Sequence, residues 1–310
     1  MKADAVFEGG GVKGIAFIGA LHEMEKAGYE WERIAGTSAG AIIASLLAAG
    51  YRSEELQEIF FRMHYPDLLR GKGWRRIPLF GPFFNVLWHK GLYGADHVEE
   101  FVADLLRRKG IERFRDLPPG KLRIIASDIT EGRMLILPDD LRQYAIDPLA
   151  FPVARAVRMS ASIPYFFQPC MLARSGVPHY IVDGGLLSNF PVWLFDAPGT
   201  PRWPTFGFRL HEQIIDEAPV HITGLFSFSK ALISTMLEAH DRLYVSKAHA
   251  VRTVFIPSLG IKTTQFDLSD EQKRLLYESG RSAAREFLSR WNFQTYIAEF
   301  RQRVNKQKAT

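Results

Sequence analysis

Three glycine-rich turns hold the residues of this chain best suited to chemistry. The first, "EGGGVKGIAFIGAL", sets Gly9, Gly10, Gly11 and Gly14 between an apolar run and an apolar, helix-like segment. The second, "GTSAG" at 36–40, is G-x-S-x-G in the same context. The third, within "HYIVDGGLLSNFPV", puts Asp183 at a strand end before Gly184 and Gly185. A sharp strand-to-helix turn lifts its serine clear of the sheet as a nucleophile. The helix start behind it offers N–H groups to developing negative charge. A serine hydroxyl attacks poorly until a base takes its proton, and Asp183 is the conspicuous carboxylate. Four histidines follow it, at His211, His221, His240 and His249, but none lies in a tight glycine-rich turn.

The first turn has a second reading. Gly9, Gly11 and Gly14 complete G-x-G-x-x-G after an apolar run, the setting of a dinucleotide-binding turn. That role wants an acidic residue at the end of the second strand. Glu30 and Glu32 precede that strand, and its end is occupied by Gly36, Thr37 and Ser38. The same bare N–H groups would serve equally to meet an oxyanion. A nucleotide-binding or nucleotide-regulated protein is therefore the rival class.

Positioning these turns requires a sheet. "DAVFEG", "ERIAG", "KLRIIAS", "RMLILP", "HYIVDGG", "TFGFRL" and "RTVFIP" read as strands. Helical segments intervene, closed by Gly28 and Gly50 or opened at Ser53 and by the Ser269–Gln272 box. A long amphipathic helix is expected over Gly224 to His249. Alternation of this kind predicts an α/β protein with a mostly parallel sheet covered on both faces. G-x-S-x-G after only the second strand disfavours an ordinary α/β-hydrolase, whose nucleophile turn comes later in the sheet.

In that order, "EGGGVKGIAFIGAL", "GTSAG" and "DGGLLSNFPV" resemble the patatin-like phospholipase family, as do "SDITEG" and "ARAVRMSASIPYFFQP" between the last two. The resemblance runs from about residue 4 to about 195. It implies a three-layer α/β/α fold and a catalytic dyad, with Ser38 as nucleophile and Asp183 as base. It also implies an oxyanion hole from Gly9, Gly10, Gly11 and their neighbours, to which the helix start adds Ala39. Lys13 fills the position where the family carries a basic residue, and it or Arg158 would anchor the loop or substrate. The expected activity is lipid acyl hydrolysis of the phospholipase A or lysophospholipase type, with acyl transfer on the same scaffold as the alternative. No metal or cofactor is expected.

The whole chain, 1–310, reads as one catalytic domain, its core about 4–195 and its C-terminal elements reaching about 291. Residues 64–94 interrupt the pattern with Gly, Pro and aromatics, and read as a lid or membrane-facing insertion. Trp74, Phe83, Phe84 and Trp88 lie there among Lys and Arg, a mixture suited to a lipid interface. Thirty-nine basic against 34 acidic residues give a charge of +5, compatible with an anionic membrane surface. A single cysteine, Cys170, excludes an internal disulfide framework and fits a reducing compartment. The longest apolar run, "AGAIIASLLAAG", is too short to span a bilayer. The expected partners are phospholipid or lysophospholipid and a membrane surface, not nucleic acid, with homo-oligomerisation open. The expected location is cytoplasmic with peripheral membrane association.

Overall fold

The computed structural model describes residues 1–69, 90–94, 96–197, 199–211, 247–263 and 265–298, with single positions between 212 and 246. The strands and main helices run β1 (Lys2–Phe7), α1 (Ile15–Lys26), β2 (Glu30–Thr37), α2 (Ala39–Ala48), α3 (Ser53–Arg62), β3 (Gly91–Tyr93) and α4 (Asp96–Arg108). They continue with β4 (Leu122–Asp128), β5 (Arg133–Leu137), α5 (Val153–Ser160), β6 (Tyr165–Phe167), β7 (Cys170–Arg174) and β8 (Val177–Asp183). β9 (Thr205–His211), β10 (Thr253–Pro257) and α6 (Asp270–Arg290) follow.

The central sheet is ordered β10-β9-β1-β2-β4-β8-β7, with β5 added to β4, while β3 and β6 pair separately. From β10 to β4 every pairing is parallel. β5, β8 and β7 are antiparallel to their neighbours, so a parallel majority of pairings carries an antiparallel end and the sheet is mixed. For β4–β5 and β7–β8 loop length is the reason: a connection of a few residues can close only an antiparallel hairpin. Between β7 and β8 that connection is Ser175-Gly176, with φ values of 51° and 80°. Two successive positive values suit a tight hairpin and match the twist of its strands.

One register detail places the chemistry. β5 occupies one edge of β4 over Ile124 to Asp128, leaving β2 and β8 to share the other. β2 pairs there up to Thr37 opposite Ile125. β8 arrives from the other direction and ends with Asp183 opposite Ala126. Two strand ends therefore meet head to head on consecutive residues of β4.

α1 and α6 pack closely enough that neither crossing point has room for a side chain. A Cβ on Gly19 would lie 1.9 Å from the Tyr277 carbonyl oxygen, and one on Gly280 1.9 Å from that of Ala16. Glu23 of α1 seals the crossing by accepting from Arg281 at 2.7 Å and Arg285 at 2.9 Å. The Ser269–Gln272 box opens α6 as expected. Ser53, expected to cap α3, is instead its first helical residue, because its hydroxyl is drawn to Glu25 at 2.8 Å. Most of the helix expected over 224–249 lies outside the described residues; of its end, Lys247–Ala250 is described and forms one short helical turn. Of the 64–94 insertion, a 3-10 turn at Tyr65–Leu69 and β3 are described. Trp74, Phe83, Phe84 and Trp88 lie outside the described residues. No helix among the described residues is long and apolar enough to cross a membrane.

Candidate active site

Ser38 follows β2 with φ 53° and ψ −123°, a conformation that costs a non-glycine residue about 1–3 kcal/mol. The glycines around it explain why the turn is so tight. A Cβ on Gly36 would meet the Gly40 carbonyl oxygen at 2.3 Å, and one on Gly40 would meet that of Glu8 at 2.4 Å. α2 is thus pressed onto β1 and β2, and its first N–H groups are brought beside the first glycine loop.

Asp183, at the end of β8, is buried with Ser38 at the strand junction. Its Oδ1 accepts the Gly185 N–H at 2.8 Å. Burial pushes its pKa up to about 6 from the ordinary 3.8, although the Ser38 hydroxyl and the Gly185 N–H both pull it down. Oδ2 itself meets no donor in hydrogen-bonding geometry among the described residues. Ser38 is thus near enough to bias the carboxyl.

The first loop is tied down on both sides. Asn189 accepts the Gly9 N–H at 3.1 Å, and its Nδ2 donates back to the Gly9 carbonyl at 3.3 Å. The expectation that Gly9 offers a free donor is thereby corrected: its N–H is engaged and its role is closeness, since a Cβ there would lie 2.2 Å from Asn189 Oδ1. Gly10, Gly11 and Ala39 N–H meet no acceptor among the described residues. Gly11 has φ 55°, and a Cβ on it would lie 2.0 Å from the Thr263 carbonyl oxygen, which accepts the Val12 N–H at 3.2 Å. The segment after β10 therefore braces the loop, a contribution that no sequence motif announced.

Lys13 is buried in the loop's 3-10 turn, not solvated at a helix start. Arg158, expected near loop or substrate, is committed elsewhere: it pairs with Asp96 at 3.1 Å and Glu99 at 3.5 Å, joining α5 to α4. Of the four histidines after Asp183, His211 ends β9 exposed and His249 stands 3.6 Å from Asp196. His221 and His240 lie outside the described residues. One histidine ahead of Asp183 had escaped notice. Buried His179 lies 2.7 Å from Asp128, which also accepts from Tyr144 at 2.6 Å. Four residues along β8 put it about 13 Å from Asp183, too far to serve Ser38. Glu131 joins Asp128 and His179 in one group of potential metal-ligand atoms, but Arg174 at 2.5 Å and Arg133 at 3.5 Å already neutralise it. That chemistry suits an ion-pair network better than a cation.

Ser38 opens onto an apolar cleft of about 640 Å³, its open mouth included. Gly11, Gly14, Ala39 and Ala161 keep it narrow-walled beside the serine, while Ile42, Phe60, Phe101, Phe167 and Phe266 line the rest. Phe266, from the segment after β10, stacks on Phe166 with centroids 5.4 Å apart.

The patatin-like phospholipase family model matches residues 5–196. Protein YqhO of Bacillus subtilis is 42% identical over 294 residues, spanning 94% of this chain and 100% of its own length. The cUMP-AMP-activated phospholipase of Escherichia coli is 26% identical over 207 residues, 62% of this chain and 57% of that protein. The crystal structure of VipD from Legionella pneumophila superposes with a TM-score of 0.56 at 18% identity, over 93% of this chain and 66% of that one, a likeness of fold.

Proposed function

This chain belongs to the patatin-like phospholipase family, a family of lipid hydrolases, and on that premise we propose that it cleaves carboxylic esters of phospholipid or lysophospholipid with Ser38 as nucleophile and Asp183 as base. The observation that carries the reading is the strand junction: a strained serine and a buried carboxyl share it at the head of an apolar cleft. Ser38 Oγ attacks the ester carbonyl carbon as its proton passes to Asp183 Oδ2. The carbonyl oxygen becomes an oxyanion facing the Gly10, Gly11 and Ala39 N–H groups. Each such donor contributes about 3–4 kcal/mol to the barrier reduction when removed singly. Asp183 then returns the proton to the leaving alcohol. Water, deprotonated by the same carboxylate, attacks the acyl-serine, and Asp183 passes that proton to the departing Ser38 Oγ as the fatty acid is released.

Two properties of the site support this assignment of roles. A carboxyl near pKa 6 is a stronger base than an ordinary aspartate, yet mostly ionised at neutral pH. The cleft is apolar throughout its lining apart from the serine end, which suits an acyl chain with its ester at Ser38. The test is a lipid panel incubated with wild type and Ser38→Ala, with products identified by mass, together with organophosphonate labelling. Labelling at Ser38 and loss of fatty-acid release in the variant are expected. Undiminished release by Ser38→Ala would end the proposal. Lipid binding through the aromatic insertion is tested by liposome co-sedimentation of a Trp74→Ala/Trp88→Ala double variant, for which weaker partitioning is expected.

A further inference from the structure

The junction that brings Ser38 and Asp183 together is a break in the sheet's own hydrogen bonding. β2 and β8 both end on adjacent residues of β4, so no ladder bond ties one strand end to the other. Thr37 Oγ1 reaches past the break to the Ser188 carbonyl at 3.1 Å, and a second buried side chain, that of Ser160, spans it at the nucleophile turn itself. Ser160, the last residue of α5, is fully buried, and its Oγ accepts the Ser38 N–H at 2.8 Å while donating to the Ile125 carbonyl at 2.6 Å. Its own carbonyl accepts the Gly184 N–H at 3.2 Å, and two residues on, the Ser162 carbonyl accepts the Asp183 N–H at 2.9 Å. One residue thus holds the nucleophile by its side chain, the base strand by its backbone, and β4 between them.

We infer that Ser160 is a positioning residue that fixes the separation and angle between Ser38 and Asp183. The physical reason is specific to the elbow. Ser38 sits at positive φ, where its N–H turns out of the sheet and needs an acceptor off the ladder. Only a short side chain able to accept and donate at once fits between that N–H and the Ile125 carbonyl, and a serine hydroxyl does both. Without it the elbow loses its off-ladder anchor, while Asp183 keeps its backbone bonds to the α5 end. The two groups then drift relative to each other. A misplacement of about 1 Å lowers a reaction of this kind by up to about 10²-fold.

This inference rests on the serine-hydrolase reading above, and its test separates the two. Ser160→Ala and Ser160→Cys are compared with wild type on a soluble nitrophenyl ester, well below each protein's melting temperature. Ser45→Ala serves as the control for losing one buried hydroxyl, because among the described residues the Ser45 hydroxyl donates to the Ile42 carbonyl within α2 and to nothing across the junction. The expected result is a kcat at least about tenfold lower in Ser160→Ala with KM within about twofold, and a parallel fall in organophosphonate labelling rate. Ser160→Cys, a poor acceptor of similar size, should show the same loss in milder form, and carries the test if the alanine variant does not fold. Ser160→Thr, which restores the hydroxyl, should recover most of the rate. Ser45→Ala should lose melting temperature but not kcat. Wild-type kcat in folded Ser160→Ala or Ser160→Cys, or an equal fall in Ser45→Ala, overturns the inference. If Ser38→Ala remains active, the hydrolase reading fails instead.

Discussion

Replacing Asp183 by asparagine tests the chemistry and the electrostatics in one variant. Asparagine keeps the oxygen that accepts the Gly185 N–H and puts an amide where Oδ2 meets no donor among the described residues. Shape is preserved while the base is removed. Activity should fall by roughly 10²–10⁴-fold, the usual contribution of a positioned general base. Stability should move the other way. The folded protein binds the Asp183 proton more tightly than the unfolded chain, because burial raises the pKa from 3.8 to about 6. Native stability from this group is therefore fully present below about pH 3.8 and lost as pH rises through about 6. At 1.36 kcal/mol for each tenfold change in proton affinity, that loss is about 3 kcal/mol. Asparagine has no proton to lose, so the variant should gain about 3 kcal/mol relative to wild type between about pH 3.5 and pH 7. The assay is urea unfolding of both proteins across this range, paired with kcat/KM against pH. Wild-type kcat/KM should rise with pH and level off above about 6. A wild-type profile flat down to pH 4.5, or a stability difference that does not change with pH, would refute the reasoning.

Other expectations bear on the cleft and the frame. Phe266→Ala should shift the acyl-chain preference measured across a series of nitrophenyl esters, while acetate-ester turnover stays within about twofold, because one removed ring widens the cleft by more than the few methylenes on which such pockets discriminate. Gly280→Ala should destabilise the fold by about 1–3 kcal/mol or more in denaturant melts, since its Cβ would land 1.9 Å from the Ala16 carbonyl oxygen. The Arg285 and Arg281 guanidiniums hold the Glu23 carboxyl down to about 2 from 4.5. Glu23→Gln should accordingly be less stable than wild type above about pH 4.5, and the difference in unfolding free energy should close as pH falls toward 2.

What the sequence disclosed was the part of the site written in short, contiguous motifs. "GTSAG" shows its strained turn because only glycine permits the 2.3 Å and 2.4 Å approaches at Gly36 and Gly40. The α6 cap was legible for the same reason, since both partners lie within four residues. Long-range bonds were not legible. Nothing local marks Ser160 as the partner of Ser38, 122 residues away, or Thr263 as the acceptor for Val12. Arg158 looked available because a sequence does not show that α4 delivers Asp96 and Glu99 to it. The antiparallel end of the sheet was hidden by β7, whose "CMLAR" alternates buried and exposed residues over only five positions. The Ser-Gly pair after it was the available signal of a hairpin.

The wall of the cleft is drawn from two parts of the chain. Its chemical end lies within residues 5–196, the part that matches the family, whereas Phe266 and the Thr263 brace come from beyond it. Substitutions in the second part can reshape the cleft without touching the first. Two descendants of one ancestor that share every glycine of the three turns can therefore diverge in diet, and the place to compare them is the stretch after the last strand.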